Sequence, residues 1–387
     1  MLRVLTLSTL YPDSGRPSFG LFVERQTLAL AARSGVEVET VSPVGLPPWP
    51  LSLHPHYRSR SRLPAKEQRH GLAVHRPRFR VWPGLGGAGA ARSLAGSVLG
   101  LARGLPCDVV DAEFFWPDGV AAMHVAGALG LPFSVKARGS DIHHWGGRPD
   151  IAAQMVEAGR RAGGLLAVSA ALKRDMAAMG MPEDRIRVHY TGIDLDRFRP
   201  VHRSSAKRGL GVEGPLIVSP GNLVGLKGHA LAVEAVAQVP GATLLIAGEG
   251  PERRSLEALI AARGLGGRAR LLGGVAPASM PELLAAADLM ILPSEREGLA
   301  NVWIEALACG TPILIADVGG AREVLDRPEA GRLVERDPAA IAAAAIAMLA
   351  SPPDPARVRK AAERFSWERN AEELHEHLAG VAHHRSP

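Results

Sequence analysis

Two acids eight residues apart, a lysine beside a glycine turn, and a second glycine turn are the residue sets in this sequence best suited to chemistry. Glu297 and Glu305 sit in the segment EGLANVWIEALACGTP at 297–312, directly after the apolar run Asp288–Leu292 and Pro293–Ser294. If Gly298 begins a helix, the free N–H groups of its first turn make an anion site. Eight residues of helix span about 12 Å and bring the two carboxylates to within about 80° around the axis, so both can face one extended ligand. Carboxylates accept hydrogen bonds from paired hydroxyls. A ligand with a diphosphate between two polyols, such as a nucleotide sugar, would therefore satisfy both acids and the helix end together. The plainer alternative is that Glu297 complements the helix dipole and Glu305 is a solvated helix residue.

The second set is SPGNLVGLKG at 219–228, where Gly221 would let the backbone approach a phosphate and Lys227 offers a compact cation. The chain has only six lysines among its 45 basic residues, so a lysine at 227 runs against its compositional bias. The third is GEGPER at 248–253, whose Gly248, Glu249 and Gly250 form either a turn against a base or ribose or a bare turn after a strand. His143, His144 and His189 have no third ligand at metal spacing and read as surface residues.

The elements that must position these residues follow from hydropathy. Strand-like runs are Arg3–Ser8, Val36–Ser42, Asp108–Ala112, Phe133–Ala137, Leu165–Val168 and Arg187–His189. A second series is Leu216–Ser219, Thr243–Ala247, Ala269–Leu272, Asp288–Leu292, Pro312–Ala316 and Arg332–Val334. Helical patterns lie between them at Phe19–Arg33, His229–Val239, Glu252–Arg263, Pro281–Ala287 and Leu299–Ala308. This alternation predicts an α/β protein of two Rossmann-like, doubly wound parallel-sheet domains. The polar stretch Arg197–Gly214 reads as the linker between them. Ligands of such sheets bind at the carboxyl ends of strands, so a cleft between the two halves is the expected site.

At 387 residues with 47% hydrophobic and 22% charged residues, the chain has enough apolar material for two or three cores, which rules out chain-long disorder. Cys107 and Cys309 can form neither a disulfide framework nor a CxxC zinc site, and a reducing cytoplasm fits that usage. No apolar run is long enough to cross a bilayer. The formal net charge of +6 is uneven: Arg58, Arg60, Arg62, Lys66, Arg69, Arg76, Arg78, Arg80 and Arg92 face the single acid Glu67. No aromatic ladder or recognition helix accompanies them, so nucleic acid is not expected; a solvated surface, an anionic substrate or an anionic membrane remains.

Taken in order, these segments resemble the retaining glycosyltransferases of family 4, which have the GT-B architecture, two Rossmann-like domains facing each other across a cleft. The resemblance runs from Leu2 to Leu378 and rests on the E-x7-E pair Glu297 and Glu305 with ACGTP at 308–312. Further matches are TGIDLDRFRP at 191–200, VGG at 318–320 and FSW at 365–367. It implies an N-terminal acceptor-side domain over residues 1–198, a donor-binding domain over 199–365, and a final helix at about 366–387 returning to the first domain.

By the same resemblance, Glu297 would contact donor sugar hydroxyls and Glu305 the ribose. The N–H groups of Gly298, Leu299, Ala300 and Asn301 would hold the diphosphate, and Lys227 would stabilise it as it leaves. Gly20, in PSFGLFVERQ at 17–26, would let phosphate and acceptor approach. Arg138 and Asp141, in KARGSDI at 136–142, are the catalytic candidates of the first half. Asp141 reads equally as an acceptor-hydroxyl ligand and as the cap of the helix that follows. No cofactor and no metal is expected, because lysine and helix end supply the charge stabilisation. The donor would be a UDP- or GDP-sugar and the acceptor a glycan or a lipid-linked molecule, with the protein in the cytoplasm or peripheral on the inner face of the membrane. Asn222 departs from the pattern, which commonly has arginine there; an amide cannot neutralise phosphate charge.

Two other enzyme classes and one non-enzyme compete. A nicotinamide-dependent dehydrogenase needs GxGxxG after the first strand, which is missing. A nucleotide-sugar epimerase of this fold would act without an acceptor, and a catalytically silent relative would bind nucleotide only. The segment PPWPLSLHPHYRSRSR at 47–62 suits either an anionic bilayer or a mobile acceptor-side loop.

Overall fold

In the run Phe133–Ala137 the polar Ser134 and Lys136 alternate with Phe133, Val135 and Ala137, yet in the structure every residue of that run is buried. This is the pattern of a parallel strand covered on both sides. The computed structural model of the chain describes residues 1–82, 87 and 89–383. It divides into two units, Met1–Gly192 with Trp367–Pro387, and Ile193–Ser366.

The strands of the first unit are β1 (Leu2–Leu7), β2 (Val36–Val41), β3 (Val44–Leu46), β4 (Lys66–Arg69), β5 (Leu72–His75), β6 (Arg78–Arg80), β7 (Val109–Ala112), β8 (Phe133–Ala137), β9 (Gly164–Ala167) and β10 (Ile186–Val188). Eight of them form one sheet in the order β10-β9-β8-β7-β1-β2-β5-β4. It is parallel except at its edge, where β4 runs antiparallel to β5. β3 and β6 pair with each other alone. The arginine-rich stretch between His54 and Arg92 supplies β4, β5 and β6, which the hydropathy pattern did not reveal, and Arg58, Arg62, Lys66, Arg78, Arg80 and Arg92 in it are exposed.

The second unit holds β11 (Leu216–Pro220), β12 (Thr243–Ala247), β13 (Ala269–Gly273), β14 (Leu289–Leu292), β15 (Ile313–Ile315) and β16 (Gly331–Leu333). These make a fully parallel sheet in the order β13-β12-β11-β14-β15-β16. The order reverses beside β11, which is the topological switch where open α/β sheets take ligands.

The stretch Arg197–Gly214 is not a free linker. It contains the helix Arg203–Gly209, tied to the second unit by a Lys207–Asp288 ion pair and by Arg270, whose guanidinium donates to Leu210 O at 2.9 Å. Polar composition misled here because Arg197, Arg203 and Lys207 find fixed acceptors in the second unit. The division between units falls at Gly192 and Ser366, where Ile193 N donates to Phe365 O at 2.7 Å.

The helix Trp367–His383 belongs to the first unit, and the last four residues of the helix expected at 366–387 lie outside the described residues. Its apolar face, Leu374, Leu378 and Val381, joins Leu2, Val4, Leu30, Val109 and Leu166 in one core. His377 Nε2 meets Ser134 Oγ on β8 at 2.8 Å. Leu378 is completely buried. Leu378→Ala should therefore cost about 2–5 kcal/mol, read as a lowered urea midpoint; an unchanged midpoint would show that the helix does not complete this core.

Candidate functional site

In the second unit the three glycine- and acid-bearing loops leave the carboxyl ends of neighbouring strands, β12, β11 and β14. Backbone hydrogen bonds lace them together. Gly221 N donates to Ala247 O and Leu223 N to Glu249 O, both at 2.9 Å, while Glu295 N donates to Leu226 O at 2.7 Å. Gly248 has φ +157°, and a Cβ there would lie 1.8 Å from Gly221 O, so only glycine permits the first two loops to close on each other. Gly250 is likewise packed against the Leu223 backbone. Asn222 is exposed, and Glu249 directs Oε1 to Gly274 N at 3.1 Å.

Lys227 ends a short 3-10 turn, Gly225–Lys227, and its ammonium donates to Glu297 Oε1 at 2.5 Å. The two side chains come from positions 70 residues apart and keep 23% and 11% of their surface exposed. They are close enough to fix each other and open enough to meet a ligand. His229, the first residue of the next helix, locks the turn from beneath: Ser219 Oγ donates to its Nδ1 at 2.9 Å and its Nε2 donates to Asn222 O at 3.2 Å. Burial holds its pKa down, to about 4, so the ring is neutral.

The helix expected from Gly298 starts later. It spans Asn301–Ala308 with Ala300 as N-cap, because Gly298 O is held by Gly320 N at 2.8 Å and the chain through Leu299 and Ala300 stays non-helical. Glu297 is therefore outside the helix, Glu305 is in its second turn, and the separation argued from an unbroken helix does not apply. The helix end itself, with the N–H groups of Asn301 and Val302 free of intrahelical acceptors, follows the loop that carries Glu297.

In the first unit, Arg138 and Asp141 follow β8 but present no open charge. Arg138 is 6% exposed; its guanidinium pairs with Glu113, donates through Nε to Glu113 O at 3.0 Å, and lies 4.7 Å from the Phe22 ring centre. Asp141 is fully buried and accepts from the N–H groups of Phe115 and Arg138 at 3.0 Å and Gly139 at 2.8 Å. It clamps two loops, as a cap does, rather than facing an acceptor. Gly20, with φ +71°, precedes the helix Leu21–Ala31, and its missing Cβ makes room for Leu10 O, 2.4 Å from where that atom would be. The Leu10 backbone by itself thus requires glycine at this position.

Around Arg138 lies a network that the sequence did not disclose. Lys136, fully buried, donates to Gln26 Oε1 at 2.7 Å and to His189 Nδ1 at 2.8 Å, and Gln26 Nε2 donates in turn to Glu113. His189 is not at the surface: it is 1% exposed and its Nε2 donates to Asn370 O at 2.9 Å. Burial lowers Lys136 to about 7 and keeps His189 well below its ordinary value. Burial and the neighbouring Glu113 push the Asp111 carboxyl far up, while Arg138 and Lys136 outweigh burial and hold Glu113 down. Asp118, raised to about 7 by burial, accepts from Thr9 N at 2.8 Å. The signal available in the sequence was the alternation of acids and cations at the ends of adjacent strands, DAE at 111–113 and KAR at 136–138.

Two consequences can be measured. Arg138→Met strands the Glu113 charge and should cost about 3–5 kcal/mol in chemical denaturation; a near-neutral change would mean that the pair is not closed. The buried neutral histidines His189, His229 and His377 all have lowered folded values, His229 and His377 to about 4. Their contribution is complete above the unfolded value near 6.5 and is lost as pH falls toward 4, by up to roughly 1.4 kcal/mol per pH unit for each group. Urea midpoints at pH 7 and pH 4.5 read this directly, and equal midpoints would contradict it.

Comparison with known proteins places this geometry. Residues 23–197 match the family model described as Glycosyltransferase Family 4, and residues 201–365 that described as Glycosyl transferases group 1. A Bacillus subtilis protein named as a teichuronic acid biosynthesis glycosyltransferase, TuaC, is 30% identical over 343 residues, covering 84% of each chain. A D-inositol 3-phosphate glycosyltransferase of Geodermatophilus obscurus is 38% identical over 202 residues, 47% of this chain and 44% of that one. Among solved structures, HepE of Anabaena in complex with UDP aligns with a TM-score of 0.75 at 20% identity, over 98% of this chain and all of that one. Sucrose-phosphate synthase of Thermosynechococcus elongatus aligns at 0.78 and 19% identity, over 97% and 98% of the two chains. These likenesses give the fold as GT-B. With both halves matched in order and a full-length relative at this identity, the chain belongs to glycosyltransferase family 4.

Proposed function

We propose that this glycosyltransferase moves a hexosyl unit, with retention of anomeric configuration and without a metal ion, from a UDP- or GDP-sugar to a glycan or lipid-linked acceptor. Its setting would be the cytoplasm or the inner face of an anionic membrane. The observation that carries the reading is the Lys227–Glu297 pair at the switch point of a parallel sheet, 2.5 Å apart and partly open, beside the N-terminal end of the helix Asn301–Ala308. A nucleoside-diphosphate sugar matches this set: diphosphate for ammonium and amides, hydroxyls for carboxylates. Structures of HepE with UDP and with UDP-glucose support the ligand class by likeness of fold.

In this mechanism the bond between the sugar anomeric carbon and the diphosphate breaks as the acceptor oxygen bonds to that carbon on the same face. The acceptor proton passes to a phosphate oxygen. Lys227 and the amides of 298–301 compensate the charge that develops on the leaving diphosphate. Glu297 orients Lys227 and holds sugar hydroxyls, and Glu305 reaches the ribose. Arg138 acts through its pairing with Glu113 as a fixed wall of the acceptor side and not as a free cation.

Asn222, exposed where relatives commonly carry arginine, favours one second reading, a relative that binds nucleotide without turnover. A single panel separates the two. UDP, GDP and ADP with their sugars are screened by thermal shift, and the stabilising donor is then assayed for transfer with Lys227→Ala and Glu297→Ala. Loss of one such charge contact should lower the rate roughly 100- to 1,000-fold. Wild-type turnover in both variants refutes the site, and donor binding with no release of free diphosphate selects the silent relative.

A further inference from the structure

β3 and β6 stand apart from the main sheet of the first unit and pair in parallel, with Leu46 opposite Arg80. The pairing continues one step further, where Val81 N donates to Leu46 O at 3.1 Å. Parallel strands leave their ribbon at the same end. From that end one chain reaches Trp82, two residues past Arg80, and the other reaches Trp49, three residues past Leu46. Neither tryptophan is covered: Trp49 is 78% exposed and Trp82 54%. The turn that follows Trp49, Leu51–Leu53, adds Leu51 and Leu53 at 51% and 61% exposure.

Along the chain between the two tryptophans the charge is almost all of one sign. Between the two tryptophans the only acid is Glu67, and it is committed to the buried guanidinium of Arg76. Arg58, Arg62, Lys66 and Arg80 are exposed. A soluble partner protein could cover the apolar side chains, but the combination of two tryptophans, two leucines and the exposed cations Arg58, Arg62, Lys66 and Arg80 matches the interfacial zone of a negatively charged bilayer. Indole rings settle at the headgroup level, leucines reach the acyl boundary, and arginines meet lipid phosphates.

We propose that the tip of the β3–β6 ribbon, Trp49, Leu51, Leu53 and Trp82 with Arg58, Arg62 and Arg80, docks the protein on a bilayer containing anionic phospholipid. The inference extends the reading that the acceptor is met at a membrane. Its test reads binding alone, without donor or acceptor, so a failure here leaves the transfer chemistry untouched.

The full chain is sedimented with vesicles of phosphatidylcholine, and of phosphatidylcholine with about one-third phosphatidylglycerol. The expected result is binding to the mixed vesicles at least about tenfold stronger than to the neutral ones, weakened by added salt. Trp49→Ser with Trp82→Ser should remove about tenfold or more of that binding while leaving the melting temperature in place, since both rings are exposed in the folded protein. Arg58→Gln with Arg62→Gln should weaken binding to the mixed vesicles only. Equal binding to both compositions, a tryptophan double variant that sediments like the wild type, or a dimer in solution that the tryptophan substitutions dissociate would each overturn the proposal.

Discussion

A parallel sheet covered on both faces can hold a charge only where its strands end, and there only if the charge is compensated. The two units answer that constraint in opposite ways. At the carboxyl edge of the first sheet, Glu113 is surrounded by Arg138, Gln26 and, through Gln26, Lys136, while burial and Glu113 push the Asp111 carboxyl beside it toward its neutral form. The arrangement closes on itself and leaves no cation facing water. At the corresponding edge of the second sheet, Lys227 and Glu297 form a pair that remains partly wet. A ligand carrying both negative phosphate and neutral hydroxyls can share such a pair without breaking it. The first edge is suited to rigidity and the second to exchange of partners.

That difference also orders the roles of the loops. In the second unit the turn carrying Lys227 is fixed by His229 from below, and the loop carrying Glu297 is fixed by Gly320 through Gly298 O. Neither side chain has to be ordered when a ligand arrives, which lowers the entropy cost of binding. In the first unit, Asp141 performs the same service for the backbone of residues 115 and 138–139. An acid that looked like a reacting group is there a structural clamp whose four lone-pair sites are largely taken up by main chain.

Most of the strand pattern was legible because the buried parallel strands are mostly apolar and rich in β-branched residues, with few polar interruptions such as Asp111, Ser134 and Lys136. β7, β8, β12 and β14 differ from the apolar runs by at most a residue at either end. β3, β4, β5 and β6 were hidden because they are only three or four residues long, and β4 and β6 also carry Lys66, Arg69, Arg78 and Arg80 in place of an apolar pattern. The helix start was misplaced for a different reason. Leu299 and Ala300 have helical propensity, but the turn at Gly319 and Gly320 holds the chain extended before Asn301, and nothing local records that. The same holds for His189, whose burial depends on Asn370, 181 residues away. Long-range partners decide such cases, and a single sequence without its fold does not name them.

The helix Trp367–His383 has a consequence for how the molecule is made. It belongs with the first unit, yet all of the second unit lies between it and the rest of that unit in the chain. On the ribosome, residues 193–366 emerge and can fold while the earlier sheet still has one hydrophobic flank bare, since Leu374, Leu378 and Val381 have not been synthesised. The half translated first is completed last, so its apolar flank at Leu2, Val4, Leu30, Val109 and Leu166 is covered only when the final helix has been made.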